Sequence, residues 1–157
     1  MKILDSNLWV TGTLKTNQTA VDLLADIEAG TITSAMDEYI LAETLAAFDR
    51  VLTGSAHDRT VTTFLVRLHD MEGLIDFPGW QAQRSAQQTT VLEYHRERTA
   101  VTMFAQIFDI QAKDAPIIIY SYEYRDYQPT ILTNDHSFSK FDPAEYNLAN
   151  LSMQHIE

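Results

Sequence analysis

The chain opens with Lys2-Ile3-Leu4-Asp5-Ser6-Asn7, a short and mainly apolar run that ends in three polar residues. Asp, Ser and Asn side chains hydrogen-bond to nearby backbone groups and favour turns, whereas a short apolar run is typical of a buried strand. Residues 2–4 are therefore predicted to form a strand and residues 5–7 a polar turn. An acidic residue, Asp5, stands where this strand ends.

Predicted strands alternate with predicted helices along the rest of the chain. Apolar residues at helical spacing predict helices, and short β-branched or apolar runs beside turn residues predict strands. The predicted helices cover about 19–29, 37–52, 58–71 and 114–124, with one or two more between 81 and 110, and the predicted strands cover 31–34, 74–77, 129–133 and 148–153. This alternation predicts an α/β fold with a mostly parallel sheet and helices on both faces.

Length and composition restrict the class of protein. A chain of 157 residues with 45% hydrophobic residues can bury one sizeable core, so a single domain is expected over 1–157. The absence of cysteine excludes disulfides and thiolate zinc sites. The apolar start is too short for a signal peptide, and no later apolar run approaches a membrane-spanning length. We therefore expect a soluble, cytoplasmic protein with no membrane partner.

The charge balance is strongly acidic, with 22 Asp and Glu against 11 Lys and Arg, a net charge of −11. Such a surface repels polyanions at long range, so a nucleic-acid enzyme with this charge needs local basic groups, divalent metal or screening salt. Two interpretations of the charge stay open. It fits a halophilic source, and it equally fits an ordinary acidic protein.

Four acidic residues stand at positions where a parallel sheet would gather them. Asp5 and Asp135 follow predicted strands, Asp114 precedes a predicted helix, and Glu43 lies at the margin of a helical apolar stripe. Ligands of such sheets collect beyond the carboxyl ends of the strands. Carboxylate oxygens are also the ligands that Mg²⁺ and Mn²⁺ prefer. The four acids are therefore candidates for one metal site.

Each of the four acids also has an ordinary structural explanation. Asp114, in front of Ala115-Pro116, is a good helix N-cap. Asp5 and Asp135 could be turn residues whose side chains hydrogen-bond to their own nearby backbone groups. A helical residue such as Glu43 is commonly solvated. Taken singly, none of the four residues decides between these interpretations.

Their order and surroundings resemble the PIN-domain family of nucleases. Ile3-Leu4-Asp5-Ser6-Asn7 resembles the first strand and first acid of that family, and Ile40-Leu41-Ala42-Glu43 resembles its helix-borne glutamate. Lys113-Asp114-Ala115 is similar to its third acidic motif, and Ile131-Leu132-Thr133-Asn134-Asp135 to its last strand and terminal acid. Each motif is short. The resemblance rests on their number, order and spacing from residue 2 to about 142.

The resemblance implies a three-layer α/β/α sandwich and RNA cleavage that depends on Mg²⁺ or Mn²⁺. It makes Asp5, Glu43, Asp114 and Asp135 the catalytic metal ligands. Many small members are toxins of toxin–antitoxin pairs, so RNA, an antitoxin protein and a second copy in a homodimer are the implied partners. One departure is Ser137, which stands where many members carry a further acid.

Three polar neighbours of the acids have two open interpretations. Ser6, Thr133 and Asn134 are candidates for orienting the metal ligands or a substrate phosphate, because outer-shell hydrogen bonds fix ligand geometry. The alternative is that they only stabilise turns.

The polar stretch 81–98 is unlike a typical short toxin of this family. It contains the nearest approach to a basic strip, formed by Arg84, Arg96 and Arg98. Because Glu93 and Glu97 lie among these arginines, a solvated helix face with internal ion pairs is favoured over an RNA-binding track.

Two further functions remain alternatives to the nuclease. In a phosphatase, Asp5 would be a nucleophile at the end of the first strand, but the acid expected two residues later is replaced by Asn7. In a catalytically silent binding module of the same fold, the acids would serve no reaction. Dependence of activity on metal separates these alternatives.

Overall fold

A computed structural model describes residues 1–86 and 89–157 and contains a five-stranded sheet in the order β3-β2-β1-β4-β5. The strands are β1 (Lys2–Leu4), β2 (Ser34–Ala35), β3 (Leu74–Asp76), β4 (Thr130–Thr133) and β5 (Ser152–His155). Every pairing between these strands is parallel. The predicted α/β fold, a three-layer α/β/α sandwich with a central parallel sheet, is confirmed.

Eight α-helices occur in the described part of the chain. They are α1 (Ser6–Thr13), α2 (Gln18–Glu28), α3 (Glu38–Val51), α4 (Gly54–Asp70), α5 (Trp80–Ala86), α6 (Thr89–Glu97), α7 (Thr99–Phe108) and α8 (Ala115–Glu123). Helix α3 is the central one, since it packs against α1, α4, α5, α6 and α8. Its aromatic residue Phe48 meets Phe64 of α4 edge-on, and Phe64 in turn meets Trp9 of α1.

The strand order reverses between β1 and β4. From β1 the chain adds β2 and then β3 on one side, and it returns to add β4 and β5 on the other. Parallel crossovers are almost always right-handed, so such a reversal sends the connecting helices to opposite faces and leaves a crevice at the carboxyl ends of the two central strands. Asp5 directly follows β1 and Asp135 lies two residues after β4, so both acids stand at this crevice.

The segment after β1 is helical, and the prediction of a polar turn over 5–7 was wrong. Helix α1 begins at Ser6, and the Leu8 N–H already donates to the Asp5 carbonyl. Leu8 and Trp9 are fully buried, which stabilises the helix through packing. Gly12 is needed for this packing, because a Cβ there would lie 2.9 Å from the Ala20 carbonyl oxygen of α2.

Strand β2 begins later than the pattern over 31–34 predicted. The N–H groups of Thr31 and Ile32 both donate to the Asp26 carbonyl at the end of α2, so they are not available to a sheet. The last strand is displaced in a similar way. Leu148 and Leu151 use their N–H groups in turns, and β5 starts only at Ser152.

The region predicted to hold one or two helices between 81 and 110 contains three, α5, α6 and α7. Gln87 and Gln88, within the polar stretch noted in the sequence, lie outside the described residues. Across the described ranges, no helix combines the length and apolar character needed to cross a membrane.

The half-buried carboxylate of Asp37 caps α3 by accepting a hydrogen bond of 2.8 Å from the Ile40 N–H. Desolvation raises the Asp37 pKa to about 7, and the nearby charges of Glu123 and Glu38 act in the same direction. An acid whose pKa is raised on folding stabilises the fold most below its unfolded pKa. That contribution is lost as the pH rises through about 7.

We expect Asp37→Asn to reduce the loss of stability between pH 4 and 8, because Asn keeps the capping oxygen and carries no charge. Between pH 4 and pH 8, the free energy of unfolding should fall by at least about 1 kcal/mol less for Asp37→Asn than for wild type. Denaturant titration at each pH measures this difference. Asp37→Ala is the control, since it removes the cap as well and should cost about 1 kcal/mol at low pH. Parallel pH profiles of wild type and Asp37→Asn would contradict the assignment.

Candidate active site

Asp5, which directly follows β1, is held at the crevice by hydrogen bonds to β4 and by the Ser6 hydroxyl. Its N–H donates to the Leu132 carbonyl of β4 at 2.9 Å, which continues the β1–β4 ladder by one residue. Its carboxylate accepts a hydrogen bond of 2.7 Å from the Thr133 hydroxyl and lies 3.2 Å from the Ser6 hydroxyl. The side chain is buried, and desolvation raises the Asp5 pKa despite these hydrogen bonds. The local bonding thus goes beyond that of a solvated turn residue.

Ser6 connects Asp5 with Glu43 of α3. The Ser6 Oγ lies 3.0 Å from Glu43 Oε2 and 3.2 Å from Asp5 Oδ1. A hydroxyl has a single proton, so it cannot donate to both carboxylates at once. Burial raises the Glu43 pKa, and the Asp5 charge raises it further. The alternative that Glu43 is a solvated helix residue was wrong, because its side chain is buried and points into this cluster.

Thr133 links Asp5 with Asp135. Its hydroxyl donates to Asp5 and accepts the Asp135 N–H at 3.0 Å, which fixes the positions of both residues. The other Asp135 contacts are turn-like, since Oδ1 accepts from the N–H groups of Ser137 and Phe138. Thr133 therefore positions Asp5 and also bonds to the backbone of the turn that holds Asp135. Asn134 lies half-buried in the bend between Thr133 and Asp135.

Lys113 joins the last two acids. Its Nζ donates to Asp135 Oδ2 at 3.1 Å and lies 3.8 Å from Asp114 Oδ1. Desolvation is the largest single influence on Asp135 and acts to raise its pKa. The hydrogen bonds from Lys113 and from two backbone N–H groups outweigh it, so the Asp135 pKa is lowered.

Asp114 is buried and stands immediately before α8, but its side chain makes no capping hydrogen bond. Asp114 therefore occupies the predicted N-cap position, with its carbonyl accepting from the Ile117 and Ile118 N–H groups, but it lacks the side-chain hydrogen bond of a capping residue. Desolvation raises the Asp114 pKa to about 7. Lys113 opposes this shift, while the charges of Asp5, Asp135 and Glu43 add to it. Asp114 thus lies within electrostatic reach of the three other acids.

Arg96 of α6 belongs to this site, whereas the sequence pattern predicted that it lies on a solvated helix face. Its Nη2 donates to Glu43 Oε1 at 2.8 Å, and its Nε donates to the Tyr39 hydroxyl at 3.1 Å. Tyr39 in turn donates to the Lys113 carbonyl at 2.7 Å. The other two arginines of the suggested strip, Arg84 and Arg98, are exposed. The contact between Arg96 and Glu43 depends on the packing of α6 on α3. No local sequence pattern predicts this packing.

The four predicted acids are therefore joined in one hydrogen-bonded and ion-paired network. It runs through Glu43, Ser6, Asp5, Thr133, Asp135, Lys113 and Asp114, with Arg96 at the Glu43 end. Within residues 1–86 and 89–157, no three His, Asp or Glu side chains surround a single point as metal ligands do. In this arrangement the hydroxyls of Ser6 and Thr133 and the ammonium group of Lys113 lie between the carboxylates.

A cleft of about 270 Å³ borders this network. Its lining includes Asp114 on one side, and Ser137 and Phe138 of the segment after β4 on the other. Comparison with known proteins found no matching family model, no matching curated protein and no matching solved structure.

The proximity of the acids can be tested through the titration of Asp114. We expect Asp5→Asn to lower the Asp114 pKa from about 7, because it removes a negative charge that opposes ionisation. Lys113→Met should raise the Asp114 pKa, because it removes the cation that favours ionisation. The measurement is the pH dependence of carboxyl carbon chemical shifts.

Lys15→Met is the matched control, since Lys15 is an exposed lysine in the turn after α1. It should leave the Asp114 titration unchanged. If Asp5→Asn and Lys113→Met had no more effect than Lys15→Met, the four acids would not form one electrostatic unit.

Proposed function

We propose that this chain is a Mg²⁺- or Mn²⁺-dependent endoribonuclease in which Asp5, Glu43, Asp114 and Asp135 are the catalytic metal ligands. The observation that carries the proposal is that these four acids, far apart in the sequence, belong to one network at the crevice between β1 and β4. Perturbed carboxylates beside a cleft at such a crevice are characteristic of functional sites.

The donor set fits a hard divalent cation. The carboxylates and the hydroxyls of Ser6 and Thr133 offer only oxygen, the ligand atom that Mg²⁺ and Mn²⁺ prefer. Four carboxylates face two cationic side chains, Lys113 and Arg96, so ionisation of all four would leave an excess of negative charge. Burial raises the pKa values of Asp5, Glu43 and Asp114, and repulsion from neighbouring acids adds to the shift at Glu43 and Asp114.

When bound, a divalent cation supplies positive charge to a phosphodiester and makes a water molecule a better nucleophile. The chain itself would hold the ligands in place. Thr133 donates to Asp5 and accepts the Asp135 N–H, and the Ser6 hydroxyl lies within hydrogen-bond distance of both Asp5 and Glu43 and can donate to one of them, so removing either hydroxyl should loosen ligand geometry. Lys113 balances the charge of Asp135 and Asp114.

Arg96 supports an anionic substrate despite the net charge of −11. Its side chain is 37% exposed, and two of its N–H groups already hold Glu43 and Tyr39. A guanidinium has five donors, which leaves several for a phosphate beside the acids. The basic group needed to counter long-range repulsion is thus local to the site rather than spread over a strip.

The resemblance to PIN-domain nucleases extends the proposal to biological partners. RNA is the proposed substrate, and a toxin–antitoxin role would add an inhibitory antitoxin protein, a homodimer and a cytoplasmic location. The neighbouring reading frame tests the toxin role. A small upstream frame for a DNA-binding antitoxin would support it.

We expect single-stranded RNA to be cleaved only with Mg²⁺ or Mn²⁺, and Asp5→Asn to lower the rate more than about 100-fold, beyond the usual cost of losing an outer-shell partner. Asp22→Asn is the control, because Asp22 is an exposed acid of α2. It should keep wild-type activity. Gel analysis of labelled RNA gives the rates.

The alternatives give different results in this assay. Undiminished cleavage in the presence of a chelator would exclude the metal mechanism. Hydrolysis of a small phosphomonoester without RNA cleavage would favour the phosphatase. RNA binding without cleavage under any metal would favour the silent binding module.

Metal binding should also stabilise the fold, since a ligand that binds only the native state shifts the unfolding equilibrium. With Mn²⁺ at about 100 times its Kd, the free energy of unfolding should rise by roughly 2.7 kcal/mol. We expect thermal melts at fixed high salt to show this gain for wild type and a much smaller one for Asp135→Asn. The asparagine keeps an oxygen for the Ser137 and Phe138 N–H groups.

Asp126→Asn is the control for this experiment, because Asp126 is an exposed acid outside the network. Mn²⁺ should stabilise this variant as much as it stabilises wild type. Equal gains for Asp135→Asn and Asp126→Asn would mean that Mn²⁺ acts on the diffuse acidic surface and not at the four acids.

A further inference from the structure

A polar hollow of about 280 Å³ lies between the end of α1 and the first half of α4. We name it the α1–α4 hollow, and its lining residues are Thr13, Ala56, Arg59, Thr60 and Thr63. Its side-chain polar groups are therefore three hydroxyls and a guanidinium, and no carboxylate of the described residues lines it. This lining contrasts with the chain as a whole, which has 22 acidic and 11 basic residues.

The residues that α4 contributes share one face of that helix. Arg59 and Thr63 are four residues apart, as are Ala56 and Thr60, and this spacing brings side chains to the same side of a helix. Ala56 belongs to the first turn of α4, where backbone N–H groups have no partner within the helix. Thr53, at the N-cap, makes no side-chain hydrogen bond to them. The start of α4 therefore adds positive partial charge to that of Arg59.

The guanidinium of Arg59 is available for a ligand. Arg59 is exposed, and none of the ion pairs between described residues includes it. The adjacent carboxylate of Asp58 lies 3.1 Å from the His57 ring, whereas Arg67, on the same helix, pairs with Glu28. A guanidinium has five N–H donors in a planar fork, and this fork matches two oxygens of one phosphate group.

The hydroxyl of Thr13 lacks a partner within the described part of the chain. Its oxygen is buried and accepts or donates no hydrogen bond there, whereas the hydroxyls of Thr11 and Thr44 donate to the carbonyl four residues earlier. A buried polar group without a partner is unfavourable. Threonine in a helix populates two χ1 rotamers, so rotation about χ1 can turn this hydroxyl toward an acceptor in the hollow. A bound anion would supply the partner that the protein does not.

We propose that the α1–α4 hollow binds the terminal phosphate of a small phosphorylated molecule, with Arg59 and the three threonine hydroxyls as donors. A phosphomonoester carries a charge of about −1.5 to −2 at neutral pH and three strong acceptor oxygens. A lining that offers donors and positive charge, without a carboxylate among the described residues, is complementary to such a group.

The size and charge of the hollow favour a small ligand over a nucleic acid. Its volume lies near the lower end of the range for small-molecule sites, about 300 Å³. A polyanion is held by several basic groups that each neutralise a phosphate, whereas Arg59 is the one cation among the described lining residues.

The proposal does not rest on the nuclease function. Helix α1 begins at Ser6, in the acidic network, and ends at Thr13, about 10 Å further along the helix axis. Binding at the hollow can therefore be measured separately from chemistry at the acids.

The experiment titrates inorganic phosphate and methyl phosphate into the full chain in the presence of a chelator, and follows backbone amide shifts by NMR. We expect saturable shifts at Thr60 and Thr63 and none at Asp114. Arg59→Gln should weaken binding at least about tenfold, because it removes charge-assisted hydrogen bonds. Arg84→Gln is the matched control, since Arg84 is an exposed arginine of α5, and it should bind as wild type does. Absence of saturable binding to wild type, or wild-type affinity of Arg59→Gln, would overturn the proposal.

A second variant and a second probe test the donors and the type of phosphate. Thr13→Val should weaken methyl phosphate binding about threefold without lowering the melting temperature, because the hydroxyl has no partner in the described part of the chain. Unchanged affinity of Thr13→Val would overturn the role given to this hydroxyl. Dimethyl phosphate, a singly charged diester like the nucleic-acid backbone, should bind at least about tenfold more weakly than methyl phosphate. Equal affinity for the two probes would overturn the assignment to a terminal phosphate.

Discussion

The parallel pairing of β1 with β4 is the constraint on which the rest of the structure depends. Residues 2–4 pair with 130–132, so the start of the chain is joined to a segment near its end. Closing so long a loop costs entropy, and three paired residues cannot repay it alone. The burial of Ile3 and Leu4 in the core around α3 supplies the compensation. Once the pairing exists, it also fixes the crevice at which the strand order reverses.

The crevice concentrates negative charge, and this charge needs partners. Buried carboxylates are costly unless they are hydrogen-bonded or paired. Here the hydroxyls of Ser6 and Thr133 and the cations of Lys113 and Arg96 provide those partners. The compensation is incomplete, because burial still raises the pKa of Asp114 to about 7. This incomplete compensation is one reason why we propose a divalent cation at the site.

The surface separates acidic regions from an apolar one. Acidic residues outnumber basic residues by two to one over the chain, whereas α7 contains neither. General acidity makes copies of the chain repel one another at long range. The buried acids lie elsewhere in the fold, since Asp5 directly follows β1 and Glu43 belongs to α3, while the exposed apolar residues Met103 and Ile107 belong to α7.

The sequence by itself determined β1, the core of α3 and the placement of Asp5 and Asp135 at strand ends, because apolar periodicity and strand termination are local properties. Tertiary pairing decided where β2 begins, since the Ser34 N–H donates to the distant Gly73 carbonyl beside β3. It alone also brought Arg96 to Glu43 and Lys113 between Asp114 and Asp135. The reason is physical: a long-range ion pair exists only where packed helices and strands hold both side chains within reach, and no neighbouring residue encodes that distance.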